Sequence, residues 1–202
     1  KQQNNLIKSS FMLQDTIHHT RAKFFASPLA SGLHSLCMDS CVDLNSDVAP
    51  EGALDIAFFD AIGFGTVVDS LSAIKTLVFE QKRLSMKELL EALDCNFEGK
   101  EDIQALLQGA PSFGNGDLEV DTLGRMLEKS ALDFTARYAG KNGVQPLEIR
   151  TTSVTANVPH GKFVGATPNG RKAWMPLSDG SSPSHGSDRN GPTAVLLSQY
   201  QS

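Results

Sequence analysis

Residues 149–158 are rich in Thr and Val, a composition that is typical of a β-strand. A side-chain period of two places Arg150, Thr152 and Val154 on one face of this strand. A guanidinium on such a face can hold a carboxylate or a sulfonate through two parallel hydrogen bonds. The competing interpretation is that Arg150 faces solvent or pairs with Glu148, and the sequence leaves both roles open.

Two carboxylates and one histidine are candidates for proton transfer. An inward-facing Glu51 or Asp39 can accept a proton from a substrate hydroxyl, although a surface or helix-capping role competes in each case. His185 lies in a stretch rich in turn residues, where a hydrogen-bonded structural histidine competes with an acid or base.

The cysteines do not predict a metal site. Cys37 and Cys41 have the spacing of one helix face, but no second Cys/His pair follows at the spacing of zinc ligands. Cys95 is the third cysteine, and an odd, sparse count indicates reduced thiols. We therefore expect no bound metal and a cytoplasmic location.

Composition excludes several classes of protein. Hydrophobic residues make up 40% of the 202 residues, which is enough for a buried core. The net charge is −5, and the basic pairs Lys82-Arg83 and Arg171-Lys172 are isolated, so we predict solvated surface there and no nucleic-acid partner. No apolar run is long enough to span a bilayer, so no membrane partner is expected. The chain starts without Met, and we expect it to be cut from a longer one.

Helical patterns dominate residues 1–145, and the clearest covers 66–81. There Val67, Leu71, Ile74 and Val78 form one apolar stripe. A capping box at Ser85 to Glu88 predicts the start of the next helix. The other predicted helices cover residues 6–25, 28–41, 100–107 and 118–138. Residues 53–65 fit either a buried strand or a tight loop.

The end of the chain is dominated by turn chemistry, and we call residues 159–192 the Gly/Pro segment. Residues 165–192 contain five glycines and four prolines, and the sequence Pro-Asn-Gly at 168–170 predicts a β-turn. A flexible tail is one interpretation. Because Trp174, Met175 and Leu177 interrupt the turns, we favour an ordered loop packed by Trp174 and Leu177.

Several stretches resemble the pyruvate formate-lyase-like glycyl radical enzymes. The long stretch VPHGKFVGATPNGRKAWMPLSDGSSPSHGSDRNGPTAVLLS, residues 158–198, is similar to a signature segment of that family. The stretch DSLSAIKTLVFEQKRLSMKELLEALDCNFEGKEDIQALLQGAPSFGN, residues 69–115, also resembles family sequence. SPLASGLHSLCMD, residues 27–39, does so more loosely. The resemblance covers nearly the whole chain.

The resemblance implies an α/β fold in which this chain is a partial segment of one ten-stranded α/β barrel domain. Residues 1–145 would be mostly helical, residues 147–158 would be a barrel strand, and the Gly/Pro segment would be a long ordered loop. In the family the matching strand lines the substrate pocket. The resemblance thus implies that Arg150, Thr152 and Val154 bind substrate, with Glu51 as a possible acid or base.

The same resemblance implies radical chemistry that these 202 residues cannot complete. The family's thiyl cysteine lies in a G-C-x-E loop, and its radical glycine lies in an R-V-x-G-Y motif. Neither motif occurs here, and Cys37 corresponds to a different, helical cysteine. The glycyl radical is expected downstream, installed by an activating enzyme that uses S-adenosylmethionine and an iron–sulfur cluster. The segment alone is expected to be inactive, and the full-length protein to be a homodimer of anaerobic metabolism.

Two functions remain open at this point. The first is a glycyl radical lyase that decarboxylates an arylacetate or cleaves the carbon–sulfur bond of an organosulfonate; both substrates are anions that an inward Arg150 would bind. The second is a truncated, non-catalytic relative that serves as a binding or assembly module.

Overall fold

The computed structural model describes residues 5, 8, 9, 12, 13, 16, 32–44, 57–138, 147–151 and 155–202. The chain divides into two compact units. The first is Lys1–Phe59 with Ala131–Ile149, and the second is Asp60–Ser130 with Arg150–Ser202. The expectation of a single barrel domain stays a prediction.

The first unit contains short elements. The described residues between 5 and 16 are helical, in keeping with the predicted first helix. Two short helices follow, α1 (Gly32–Leu36) and α2 (Asp39–Leu44). Strand β1 (Ala57–Asp60) pairs with β2 (Leu147–Arg150) in a two-stranded sheet. The described residues thus show two strands, and a ten-stranded barrel is not seen in them.

The helix predicted over 28–41 is interrupted. Cys37 occupies an exposed turn between α1 and α2, while Cys41 is buried in α2. The two thiols therefore do not share one continuous helix, and the helical position expected for Cys37 is wrong. All three cysteines are free.

The predicted strand 147–158 is shorter than expected. Strand β2 ends at Arg150, residues 155 and 156 form a turn, and Asn157–Gly161 is a short helix, α7. Thr and Val propensity favours a strand, but it does not fix where pairing stops. A buried Asn157 bonded to Leu177 replaces strand pairing at the end of this stretch.

The second unit is helical. Helix α3 (Phe64–Ala73) continues as a π-helix (Ile74–Glu80). The capping box is confirmed, because Ser85 Oγ accepts from the Glu88 amide and Glu88 Oε2 accepts from the Ser85 amide. The remaining helices are α4 (Met86–Asp94), α5 (Glu101–Gln108), α6 (Leu118–Tyr138) and α8 (Gly191–Gln201).

Two apolar clusters form the core of the second unit. The larger one joins the π-helix to α4 and α5 through Leu77, Leu89, Phe97 and Leu107, all at most 3% exposed. In the smaller one, Phe64 meets Phe113 edge-on, with ring centroids 5.5 Å apart. Such an aromatic pair adds about 1 kcal/mol beyond the apolar area it buries.

The apolar stripe predicted on 66–81 does not mark the buried face throughout. Val67 and Leu71 are 44% and 41% exposed, whereas Asp69 and Ser72 are buried. The polar side chains can be buried because they find partners: Ser72 Oγ donates to the Pro111 carbonyl at 2.7 Å. Helix α3 therefore turns a partly polar face toward the interior.

The Gly/Pro segment is ordered and joined to the helices by hydrogen bonds. Gly170 closes the predicted turn by donating to the Thr167 carbonyl, with φ at +85°. Leu177 is buried, as expected. Trp174 is 70% exposed, so its predicted packing role is wrong. Its backbone is left-handed, with φ at +71°, and the preceding amide is bonded to Asn96.

Gly65 provides a test of this close packing. A Cβ at Gly65 would lie 2.5 Å from the Ser182 carbonyl oxygen, so we expect Gly65→Ala to lower the free energy of unfolding by about 2 kcal/mol or more. Gly109→Ala is the matched control, since its Cβ would meet nothing closer than 3.4 Å. Urea unfolding of both variants checks this, and equal effects would contradict the packing described.

Candidate functional site

Arg150 is the predicted substrate ligand whose backbone position the structure gives. It is the last residue of β2, which pairs with β1. Its side chain lies outside the described part of the structure, as do Thr152, Val154 and Glu51. The predicted shared face of Arg150, Thr152 and Val154 therefore stays a prediction. Asp39 is exposed in the first turn of α2, in keeping with the competing surface role.

Further along the chain from Arg150, the backbone is anchored at Asn157. Its side-chain amide donates to the Leu177 carbonyl at 3.1 Å, and the Leu177 amide donates back to the Asn157 carbonyl at 3.2 Å. Asn157 is 6% exposed, so this pair is shielded from water. The Gly/Pro segment thus fixes one end of the stretch that contains Thr152 and Val154.

Arg171 organises the Gly/Pro segment from within. Its guanidinium uses every donor, and none goes to a carboxylate. Nε donates to Thr167 Oγ1, and the terminal nitrogens donate to the carbonyls of Val164, Gly165, Lys172 and Met175. The prediction of a solvated surface cation is wrong for Arg171. The sequence did not indicate this role, because the partners of Arg171 are backbone carbonyls and not acidic side chains that could be recognised by residue type.

A reciprocal pair ties this segment to the start of α3. The Thr66 amide donates to Ser178 Oγ at 3.0 Å, and the Ser178 amide donates to Thr66 Oγ1 at 2.9 Å. The first amides of a helix have no partner within the helix. Ser178 therefore caps α3 from 112 residues away, and sequence patterning near α3 gave no sign of it.

Asp69 forms a second buried connection. Oδ1 accepts from the Phe113 amide at 2.7 Å, and Oδ2 accepts from Ser184 Oγ at 2.5 Å. Burial raises the pKa of Asp69 from 3.8 to about 6, although both hydrogen bonds oppose that rise. At neutral pH this carboxylate is ionised and holds the turn at 113 and the Gly/Pro segment against α3.

The raised pKa of Asp69 predicts a pH dependence of stability. The folded chain binds this proton more tightly than the unfolded chain, so the contribution of Asp69 is fully present below 3.8 and is lost as the pH rises through about 6. Two pKa units correspond to about 3 kcal/mol. We expect the unfolding free energy of the native chain, minus that of Asp69→Asn, to fall over this window. A difference that grows with pH in urea titrations would contradict this.

A cavity of about 490 Å³ lies beside Asp69, and we call it the loop cavity. It lies between α3, α5 and residues 169–189. His185 lines it and is exposed, and both of its predicted roles, structural or acid–base, stay predictions. Within the described residues, no three His, Cys, Asp or Glu side chains come together as metal ligands would. In the same part of the chain, no helix is both long and apolar enough to cross a bilayer.

The comparison with protein families agrees with this architecture. The model of the pyruvate formate lyase-like family matches residues 1–161. The isethionate sulfite-lyase of Nitratidesulfovibrio vulgaris is 51% identical over 201 residues, which is 100% of this chain and 24% of that protein. The chain thus spans about a quarter of the length of the curated relatives it matches.

Two solved structures share the fold. A glycyl radical enzyme from Archaeoglobus fulgidus superposes with a TM-score of 0.78 at 30% identity, covering 98% of this chain and 25% of that one. The hydroxyproline dehydratase of Clostridioides difficile, with trans-4-hydroxy-L-proline bound, gives 0.77 at 34% identity, covering 90% and 23%. The chain therefore belongs to the pyruvate formate lyase-like family of glycyl radical enzymes.

Proposed function

We propose that this chain is a segment of a glycyl radical lyase that cleaves the carbon–sulfur bond of a small hydroxysulfonate, with isethionate as the leading candidate. The observation that carries the proposal is the 51% identity, over the whole chain, to an isethionate sulfite-lyase. Identity to the hydroxyproline dehydratase structure is 34%. This difference favours carbon–sulfur cleavage over dehydration.

Arg150 is the proposed ligand of the sulfonate. A sulfonate carries a permanent negative charge on three oxygens, and a guanidinium can donate to two of them in parallel. Thr152 and Val154 would complete the binding face, and Glu51 is the candidate acid or base for the substrate hydroxyl. The anchoring of Asn157 by Leu177 limits the freedom of the chain beside these residues.

The radical steps are not assigned to any residue of this chain. The 202 residues contain neither the G-C-x-E loop nor the R-V-x-G-Y motif. A glycyl radical and its activating enzyme belong to the proposal for the full-length protein, as does homodimer formation. The proposed part of this segment is to bind and orient a small-molecule substrate.

Two alternatives have less support. A relative named indoleacetate decarboxylase is 30% identical over 190 residues, so decarboxylation of an arylacetate is the weaker lyase hypothesis. A non-catalytic binding or assembly module would have the same fold but would turn over no substrate. Both alternatives predict that no sulfite is formed from a sulfonate.

The test is a substrate panel with the native polypeptide that contains this sequence, activated without oxygen. Loss of hydrogen sulfite from isethionate leaves acetaldehyde, so we expect the two products in equal amounts. We expect no comparable turnover of trans-4-hydroxy-L-proline or indoleacetate. Turnover of either compound in place of isethionate, or no turnover of any by protein that carries the radical, would refute the proposal.

A further inference from the structure

The loop cavity has a volume in the range of sites for small ligands. Its 490 Å³ compares with roughly 300–1,000 Å³ for small-molecule pockets. Its walls are fixed: Gln104 and Gln108 both donate to the Gly170 carbonyl, and Ser112 Oγ donates to the Ser187 carbonyl. A preformed concavity of this kind requires little ordering when a ligand binds.

The charge of the lining is opposite to the charge of the protein. The chain carries −5 overall, yet the described lining has three permanent cations and one acid. The acid is Asp69, which is buried and already accepts from Ser184 and Phe113. The cations are Arg171, Lys172 and Arg189. A concave surface of one sign concentrates ligands of the opposite sign.

The cations differ in the donors that they can still offer. The guanidinium of Arg171 already donates to five acceptors, so it contributes positive charge to the cavity but no free donor. Arg189 commits one terminal nitrogen to the Gln108 carbonyl, at 3.0 Å, which fixes the group at the cavity wall. Lys172 is exposed, and its ammonium has no partner among the described residues. Lys172 and the remaining donors of Arg189 are therefore available to a ligand.

We propose that the loop cavity binds a phosphate group, free or carried by a small organic molecule, with Lys172 and Arg189 as its charged ligands. A tetrahedral oxyanion accepts hydrogen bonds from donors that approach from several directions. It can therefore bind the compact ammonium of a lysine and the planar guanidinium of an arginine at the same time. The cavity has room for an organic group beside the anion.

Calorimetric titration of the native polypeptide that contains this sequence, with inorganic phosphate at low salt, tests this proposal. We expect saturable binding of one phosphate, weakened about tenfold or more by Lys172→Ala and by Arg189→Gln. Lys172→Arg should retain it. Lys100→Ala is the matched control, since this half-buried cation lies outside the loop cavity, and it should bind as the native chain does. Circular dichroism checks that each variant is folded.

A second titration with glycerol 1-phosphate separates the two sources of the group. Tighter binding of the ester assigns the cavity to a phosphorylated small molecule, and tighter binding of inorganic phosphate assigns it to the free anion; either supports the proposal. Absence of saturable binding to folded native chain would overturn it. Binding that Lys172→Ala and Arg189→Gln leave unchanged would also overturn it. Neither result depends on the proposed lyase activity.

Discussion

Replacing Arg150 by Ala is expected to lower kcat/KM for a sulfonate substrate by about 30-fold or more in the activated native protein. A charge-assisted bidentate pair shielded from water contributes roughly 2–5 kcal/mol, and each 1.4 kcal/mol is a factor of ten. Because the sulfonate is held in both the ground state and the transition state, most of the loss should appear in KM. Steady-state measurement of sulfite release gives both constants.

Arg150→Lys and Arg83→Ala serve as the comparison variants. Lysine keeps the charge but not the planar fork, so it should recover only part of the lost binding. Arg83 is exposed in the turn before α4, and its replacement should leave both constants unchanged. An unchanged KM in Arg150→Ala would remove Arg150 from the site and would favour its competing role at the strand surface.

Replacing Arg171 by Ala is expected to loosen the first half of the Gly/Pro segment. The change leaves the carbonyls of Val164, Gly165 and Met175 without the donor that joins them. Several hydrogen bonds to a charged group are lost together, so the unfolding free energy should fall by about 3 kcal/mol. Hydrogen exchange should show faster exchange across residues 163–177, and denaturant unfolding measures the total cost.

Lys172→Ala is the control for Arg171, since the two cations are adjacent. The Lys172 ammonium has no partner among the residues that the structure describes, so its removal should change stability by at most about 0.5 kcal/mol in phosphate-free buffer. Arg171→Lys should behave almost like Arg171→Ala, because one ammonium cannot reach five acceptors that surround a planar guanidinium. Equal stability of Arg171→Ala and Lys172→Ala would contradict the organising role of Arg171.

Local signals in the sequence predicted the local elements of the fold. Helix α6 spans Leu118–Tyr138 as expected, because a long periodic pattern is a strong helix signal. The capping box at Ser85 and Glu88 was equally readable, since both partners lie within one turn. The turn at Gly170 followed from Pro-Asn-Gly for the same reason.

Features that depend on distant partners could not be predicted. Asp69 resembles a surface residue in the sequence, and its burial depends on Phe113 and Ser184, which are 44 and 115 residues away. The buried face of α3 was misjudged as a result, because periodicity counts apolar residues and misses polar ones with buried partners. The substrate-binding face at Arg150, Thr152 and Val154 stays a prediction.

The most direct test of the proposed carbon–sulfur chemistry is an exchange of segments. This chain would replace the matching 201-residue stretch of the Nitratidesulfovibrio vulgaris isethionate sulfite-lyase, to which it is 51% identical. Sulfite release from isethionate would then be measured after anaerobic activation, with radical content as the check that the chimera is folded. We expect sulfite release to persist in the chimera, and we expect Arg150→Ala to raise the KM for isethionate so that release at low substrate concentration falls steeply. A chimera that carries the radical but releases no sulfite would contradict the proposal.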